Sequence, residues 1–184
     1  MTYTAILKIE FSDVGGWIGG HWEVVNESGG YHGLLKTWWD HFGLKGKGLA
    51  IGEEGVGGEN VKRKLRETYL QIENVYTVGF ANADVIWDIT KPLGNESKFD
   101  WIICQATLEH VKDPVAAIKN MADVLSPNGI MYIHSVGPDF PIHRYPVDCY
   151  RFLPDALDAF AELAKIKALD YFWSSKHWFA VYQK

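Results

Sequence analysis

FDWIICQATLEHV, Phe99 to Val111, decides how the rest of the chain is read. Trp101 to Cys104 is a short apolar run entered through Asp100, the pattern of a strand buried on both faces. Polarity then begins at once with Gln105, Thr107, Glu109 and His110. In an open parallel α/β sheet, ligands bind just beyond the carboxyl ends of the strands. These four residues therefore fall where a site is expected.

Further along, Lys112-Asp113-Pro114 starts a helix in which Val115, Ile118, Ala122 and Leu125 share a face, and Ser126-Pro127-Asn128-Gly129 ends it. Pro followed by Asn-Gly suits a tight turn, after which IMYIHS, Ile130 to Ser135, supplies the next strand. This succession resembles the central part of the class I S-adenosylmethionine (SAM) dependent methyltransferases. FPIHRYPVDCYRFLPDAL, Phe140 to Leu157, is similar to a stretch found in one branch of small methyltransferase-like proteins. The resemblance runs from about Leu49 to the end of the chain. It implies a Rossmann-like α/β sheet, mostly parallel with an antiparallel C-terminal strand, together with SAM as cofactor and methyl transfer as activity.

The 184 residues suit a single domain with a full core. Residues 1–47 read as an N-terminal extension with a hairpin and a helix, and 48–184 as the Rossmann-like core. Hydrophobic residues make up 47% and charged residues 22%, an ordinary globular composition. No apolar run approaches the roughly 20 residues that span a bilayer. MTYTAILKIEFSDVGG lacks the basic flank and small-residue cleavage site of a signal peptide, so a cytoplasmic location is expected. Cys104 and Cys149 form neither a metal-type pair nor a disulfide framework. A net charge of −5 argues against a nucleic-acid footprint. The basic cluster Lys62-Arg63-Lys64 with Arg66 reads as the solvated side of a helix whose apolar face is Val61, Leu65 and Tyr69. The expected partner is a small-molecule acceptor, with no nucleic acid and no membrane, and a homodimer stays open.

Tyr3, Ala5, Leu7, Ile9 and Phe11 alternate as in a strand, and HWEVVN is placed to pair with it across SDVGGWIGG. Trp17, Trp22, Trp38 and Trp39 serve either as a stacking platform for a sugar or base or as core and subunit-interface packing, the commoner use. Leu34, Leu35, Trp38, Trp39 and Phe42 recur at helical spacing, which makes Tyr31 to Phe42 a helix against the sheet, stopped by Gly43. GLAIGEEGVGGENV follows as a strand opening into a glycine-rich loop and then a helix through Leu70. Glycines allow a sharp turn and close backbone approach, and the helix offers free N–H groups. A plain glycine-rich turn is the other reading.

The resemblance puts the SAM loop here, with Gly52, Glu53, Gly55 and Gly57 at the cofactor, although Ala50 stands where the family commonly has an acid. Two glutamates in the loop would repel a phosphate, which favours SAM over NAD or ATP. NVYTVGF, Asn74 to Phe80, reads as the second strand; where the family has a ribose-holding acid it carries Gly79, with Asn82 just beyond. ADVIWDITKPL then follows too soon for the crossover of roughly a dozen residues that parallel neighbours need. The fold is thus shortened between strands 2 and 3, and this run is a shortened edge segment or no parallel strand at all. The resemblance sets Asp88 and Ile89 at the adenine, the alternative being that Asp88 caps a turn before Pro92. Asp84 is the reserve candidate for the ribose.

VGPDFPIHRYPVDCYRF contains three prolines and reads as a stiff loop above the strand ends, carrying His143, Arg144, Asp148 and Arg151. Pro154 and Asp155 start a helix with Leu157, Phe160, Ala161 and Ala164 inward. IKALDYFWS and KHWFAVYQ are joined by so short a link that only an antiparallel pair fits. Methyl transfer from a sulfonium is a direct displacement, so positioning is the protein's main task. A hydroxyl acceptor also needs a base, for which a histidine suits neutral pH. His143 is the candidate, with Asp148 as orienting partner, while both could be structural loop residues. His110 borders the expected pocket or caps the helix after it, and Gln105 and Thr107 fit the methionine part of the cofactor. No short ligand pair supports a metal site among His110, His134, His143, Asp148 and Cys149, so no metal is expected. A non-catalytic relative that binds a nucleotide-like ligand or a protein partner is the alternative, with Ala50, Gly79 and the missing crossover helix as its evidence. An NAD-binding oxidoreductase is disfavoured by the loop glutamates and the closing hairpin.

Overall fold

A computed structural model of the chain describes residues 38–42, 45–52, 74–79, 83–94, 98–144, 147–173 and 175–184. Seven strands among them form one sheet: β1 (Gly48–Ile51), β2 (Val75–Gly79), β3 (Val85–Ile86), β4 (Phe99–Gln105), β5 (Leu125–Val136), β6 (Lys167–Trp173) and β7 (His177–Gln183). Helix α1 (Pro114–Val124) joins β4 to β5, α2 (Asp155–Ala164) precedes β6, and a 3-10 turn, Leu108–His110, follows β4. The strand order is β3-β2-β1-β4-β5-β7-β6. Strands β1 to β5 pair in parallel, and β7 runs antiparallel to both β5 and β6. A mostly parallel α/β sheet with an antiparallel C-terminal strand is what the resemblance implied. No helix among the described residues is long and apolar enough to cross a membrane.

The central strands are apolar throughout because both faces are covered. Leu49, Ile51, Ile102, Cys104, Met131 and Ile133 pack with Ala117, Ile118 and Met121 of α1 and with Leu157 and Phe160 of α2. Successive strand residues alternate faces, so Trp101 and Tyr132 point the other way. There the helical residues 38–42 lie: Trp39 meets Trp101 edge-on at 5.0 Å and Trp38 meets Tyr132 at 5.4 Å. Trp38 is buried and its Nε1 donates to Asp170 Oδ2 at 2.8 Å. Packing, not a stacking platform, is therefore the use made of these two tryptophans. Trp17, Trp22, the N-terminal hairpin, residues 31–37, Gly43 and the helix expected through Leu70 lie outside the described residues.

Helix α1 begins as its sequence asks: Asp113 Oδ1 accepts from Ala116 N at 2.9 Å, and Pro114 occupies the first turn. Its end differs from the reading above. Leu125 is extended and already belongs to β5. Ser126-Pro127-Asn128-Gly129 is a bulge within that strand, because Phe99 pairs with Leu125 and Trp101 next pairs with Ile130. Asn128, at φ +64°, donates its N–H to Lys184 O, and Lys184 N donates back to Gly129 O.

The short link after β2 resolves as the shortened edge segment. Val85 and Ile86 pair in parallel with Val78 and Gly79. Asp84 makes this fold-back work: its Oδ2 accepts from Thr77 N at 2.8 Å and from Thr77 Oγ1 at 2.9 Å. Asp84 N donates in turn to Thr77 Oγ1, and Trp87 N donates to Gly79 O. A carboxylate thus satisfies a strand N–H that a neighbouring carbonyl would otherwise take. Asp84→Ala leaves that buried donor unpaired and is expected to cost about 1 to 3 kcal/mol. An unchanged urea midpoint for the variant would count against the latch.

Candidate active site

Because β1 to β5 are parallel, their carboxyl ends share one rim of the sheet. Gly52 follows β1 at φ +108°, and Ala106 follows β4 at φ +46°, a left-handed conformation uncommon for alanine. Ala106 N donates to His134 O, and Thr107 Oγ1 donates to Gln105 O at 2.8 Å, which folds a tight turn at the end of β4. A Cβ on Gly52 would stand 1.7 Å from Thr107 Oγ1 and 2.3 Å from Gln105 O. Only glycine permits so close a crossing. Gly52, Gln105 and Thr107 are thereby brought together. Gln105 is buried, and its amide Nε2 has no hydrogen-bond partner among the described residues. A buried donor in that state calls for a ligand.

The remaining cofactor candidates are more dispersed. Gly79 ends β2 and is buried. Asp88 is exposed, and its Oδ1 accepts from Thr90 Oγ1 at 2.7 Å and Thr90 N at 3.0 Å, bonds that hold its carboxyl below the usual carboxylate value. It caps a turn, as the alternative reading proposed. Ile89 is buried, and its carbonyl accepts from Asn120 of α1 at 2.9 Å. Asp84, the reserve ribose candidate, is instead engaged with Thr77. Glu53, Gly55 and Gly57 lie outside the described residues.

The polar turn after β4 centres on Glu109, whose side chain is fully buried. Its Oε2 accepts from Ser135 Oγ on β5 at 2.6 Å, while Oε1 has no hydrogen-bond partner among the described residues. His110 Nε2 lies 4.0 Å and His143 Nε2 3.7 Å from that oxygen. Both separations exceed hydrogen-bond length. The opposite ring nitrogens are engaged elsewhere. His110 Nδ1 bonds the Val147 carbonyl; His143 Nδ1 lies 3.3 Å from Pro141 O and 3.5 Å from Asp148 Oδ2. The two rings meet edge-on at 4.8 Å.

The loop from Gly137 to Pro154 is pinned to this turn. Cys149 N and Tyr150 N both donate to Glu109 O, and Tyr150 OH donates to Lys112 O. Asp148 Oδ2 accepts from His143 N at 2.7 Å. Arg151 grips Asp148 with both guanidinium nitrogens, at 2.5 and 2.6 Å, and also donates to the carbonyls of Phe140 and Pro141. The Arg151 bonds, reinforced by that from His143 N, hold the Asp148 carboxyl far below the usual carboxylate range. His143 and Asp148 are thus adjacent, as their spacing suggested. Burial pushes the Cys104 thiol up to about 12, so it is no nucleophile, and Cys149 is exposed. His134 stacks on Phe179 and approaches His177 across the β5–β7 pair.

The sequence places Glu109 and Arg151 in the two stretches where a site is expected but gives neither a role, and it passes over Ser135 and Ala106. For Glu109 a signal exists: an acid between Leu108 and His110 directly after a doubly buried strand has little solvent to face. Left-handed Ala106 has no sequence signature.

A family model described as a methyltransferase domain matches residues 27–173. A 50-residue stretch is 36% identical to the ubiquinone biosynthesis O-methyltransferase of Coxiella burnetii (strain RSA 493 / Nine Mile phase I), covering 27% of this chain and 21% of that protein. The protein of the same name from Histophilus somni (strain 2336) is 40% identical over 43 residues, 23% of this chain and 18% of that one. Only a small part of those relatives' length is matched. Among solved structures, the [4+2]-cyclase SpnF aligns with a TM-score of 0.61 and 14% identity over 82% of this chain and 80% of that one. A SAM-dependent methyltransferase from Clostridium acetobutylicum ATCC 824 aligns at 0.60 and 11%, over 83% and 90%. The N-methyltransferase NodS of Bradyrhizobium japonicum WM9, in complex with S-adenosylhomocysteine, aligns at 0.54 and 15%, over 84% and 85%. At such identities the likeness is one of fold.

Asp148 sets an expectation for acid stability. A carboxyl held below its ordinary value contributes stability that is full above that value, near pH 4, and is lost as the pH falls. The melting temperature of the wild type should therefore drop more steeply below about pH 4 than that of Asp148→Asn. Parallel profiles in a thermal-melt series would show that the Arg151 pair contributes nothing.

Proposed function

The chain belongs to this methyltransferase-domain family, whose fold is that of the class I SAM-dependent enzymes, and from that premise we propose that it methylates a hydroxyl of a small-molecule or sugar-like acceptor. SAM is the cofactor of that class. The observation that carries the choice of a hydroxyl is the buried Glu109 with two histidine Nε2 atoms turned toward its unpartnered oxygen. An amine or thiolate acceptor needs little beyond positioning, whereas a hydroxyl must also lose a proton.

The rim residues fit the cofactor. Gln105 brings a buried amide nitrogen without a partner among the described residues, and the Gly52 turn passes directly beside it. In this reading Gly52, Gln105 and Thr107 hold the methionine end, with Glu53, Gly55 and Gly57 completing the loop. Asp88 and Ile89 lie along the adenine, and Gly79 backs the ribose without an acid to bind it. SAM supplies a methyl group on a sulfonium, which the acceptor oxygen displaces in line while the electron pair of the broken C–S bond returns to sulfur. His143 and His110 ease loss of the acceptor proton, which passes to solvent, and Asp148 holds His143 in place.

A second reading, a non-catalytic protein that binds a nucleotide-like ligand or a protein partner, draws on Gly79 and on Asp84, which is engaged with Thr77. Fold alone does not choose between them, since one solved neighbour is described as a cyclase.

Isothermal titration with SAM, S-adenosylhomocysteine and NAD separates the readings. The first two should bind and NAD should not. Asp88→Ala is expected to weaken cofactor binding about tenfold, close to 1.4 kcal/mol. His143→Ala should leave binding nearly unchanged and lower turnover by about a hundredfold or more. The reverse ranking would refute these roles, and failure of both SAM and its product to bind at millimolar concentration would leave the partner-binding version of the second reading.

A further inference from the structure

We propose that Glu109, His110 and His143 bind a first-row divalent cation of the zinc, iron or cobalt class, and that this ion acidifies the acceptor hydroxyl. The second half rests on the methyl-transfer reading; the ion site itself stands on geometry alone. Each residue offers one donor atom, and the three atoms lie within 4.8 Å of one another; Glu109 Oε1 is 4.0 Å from His110 Nε2 and 3.7 Å from His143 Nε2.

Four observations point to a cation here. Glu109 is fully buried, and its Oε1 receives no hydrogen bond from the described residues, a costly state for a carboxyl oxygen. Its other oxygen is fixed by Ser135, so the orphan oxygen is held in orientation. His110 spends Nδ1 on the Val147 carbonyl, which leaves the Nε2 lone pair facing Glu109. His143 is oriented likewise, with Nδ1 beside Pro141 O and Asp148 Oδ2, and Asp148 is itself clamped by Arg151. Metal-ligating histidines show this arrangement, the second ring nitrogen donating to a carbonyl or carboxylate.

The donor set selects the ion. Two imidazoles and one carboxylate suit zinc, iron or cobalt, whereas magnesium and calcium prefer oxygen ligands. Three protein ligands leave a coordination position open, as in catalytic sites. Donors on one ion at about 2.1 Å stand roughly 3 to 3.4 Å apart, so the cluster must contract modestly. A turn of the His143 ring, 35% exposed on its loop, can supply this movement. No short pair of ligands announces the site in the sequence, because Glu109 and His110 are adjacent and His143 comes from a distant loop. The expectation of no metal weighed His110 and His143 among other residues and left out Glu109.

An acceptor hydroxyl at the open position would lose its proton to water near neutral pH, as a metal-bound water does. Its oxygen lone pair would then form the new C–O bond as the C–S bond breaks. The substrate class is thus an alcohol or phenol able to reach the ion.

The test titrates metal-stripped protein with cobalt(II) chloride alone, following visible d–d absorption and heat. One equivalent should saturate the wild type, and zinc should displace it. Glu109→Gln and His143→Ala should each weaken cobalt binding about tenfold or more. Wild-type affinity of both variants for S-adenosylhomocysteine shows that they are folded; should Glu109→Gln fail this control, His143→Ala on the loop carries the test. No cobalt uptake by wild type at millimolar concentration, or undiminished uptake by a folded variant, overturns the site. Cobalt saturation in a protein that binds neither SAM nor its product supports the ion site and overturns the transfer reading instead.

Discussion

A carboxylate removed from water must find donors or a positive charge, and the region beyond β4 is arranged around that requirement at Glu109. One oxygen takes the hydroxyl of Ser135, which ties the 3-10 turn to the end of β5. The main-chain carbonyl of the same residue takes two N–H groups from Cys149 and Tyr150, which ties the turn to the Pro-rich loop. Three segments far apart in sequence are thus held at one point on the sheet rim. Loss of the acid would remove the side-chain anchor while leaving the main-chain one, so the loop would stay near but lose its orientation.

The loop is stiff for a second reason. Arg151 satisfies three carbonyls, those of Phe140, Pro141 and Tyr150, and both oxygens of Asp148, so its side chain ties Phe140 and Pro141 to the residues from Asp148 onward. His143 lies between the tied residues, and its position is set by Asp148 on one side and faces Glu109 on the other. A site built on a loop is ordinarily less precise than one built on strands. Here the ion pair and the buried acid supply the rigidity that the loop's irregular backbone lacks.

The parallel core is readable in the sequence because strands covered on both faces need continuous apolar runs, and GLAI, VYTVG and WIIC supply them. The closing hairpin is readable because three residues can join only antiparallel neighbours. The fold-back between β2 and β3 is half readable: the link is visibly too short for a helix, but the Asp84–Thr77 latch that replaces it depends on a side chain meeting a main-chain N–H seven residues away. Periodicity carries no trace of such a bond. Asp88 shows the opposite limit, since a carboxylate two residues before a threonine caps a turn whether or not a ligand lies beyond it. The sequence sets Glu109 beside the expected site but does not reveal its burial, since a polar residue at a strand end can be the most buried one in the site.

With the proposed cation bound, the charge of the cluster would favour an oxygen acceptor over a neutral amine. As ligands of that ion, Glu109 would bring one negative charge and the two imidazoles none. A divalent cation there leaves one positive charge over. That surplus would repel a sulfonium drawn up beside it, unless the acceptor arrives as, or becomes, an anion. An oxyanion closes the balance at zero, while an amine leaves it open. The residues proposed to hold the cation would thereby make a deprotonated oxygen the acceptor that completes the site electrically.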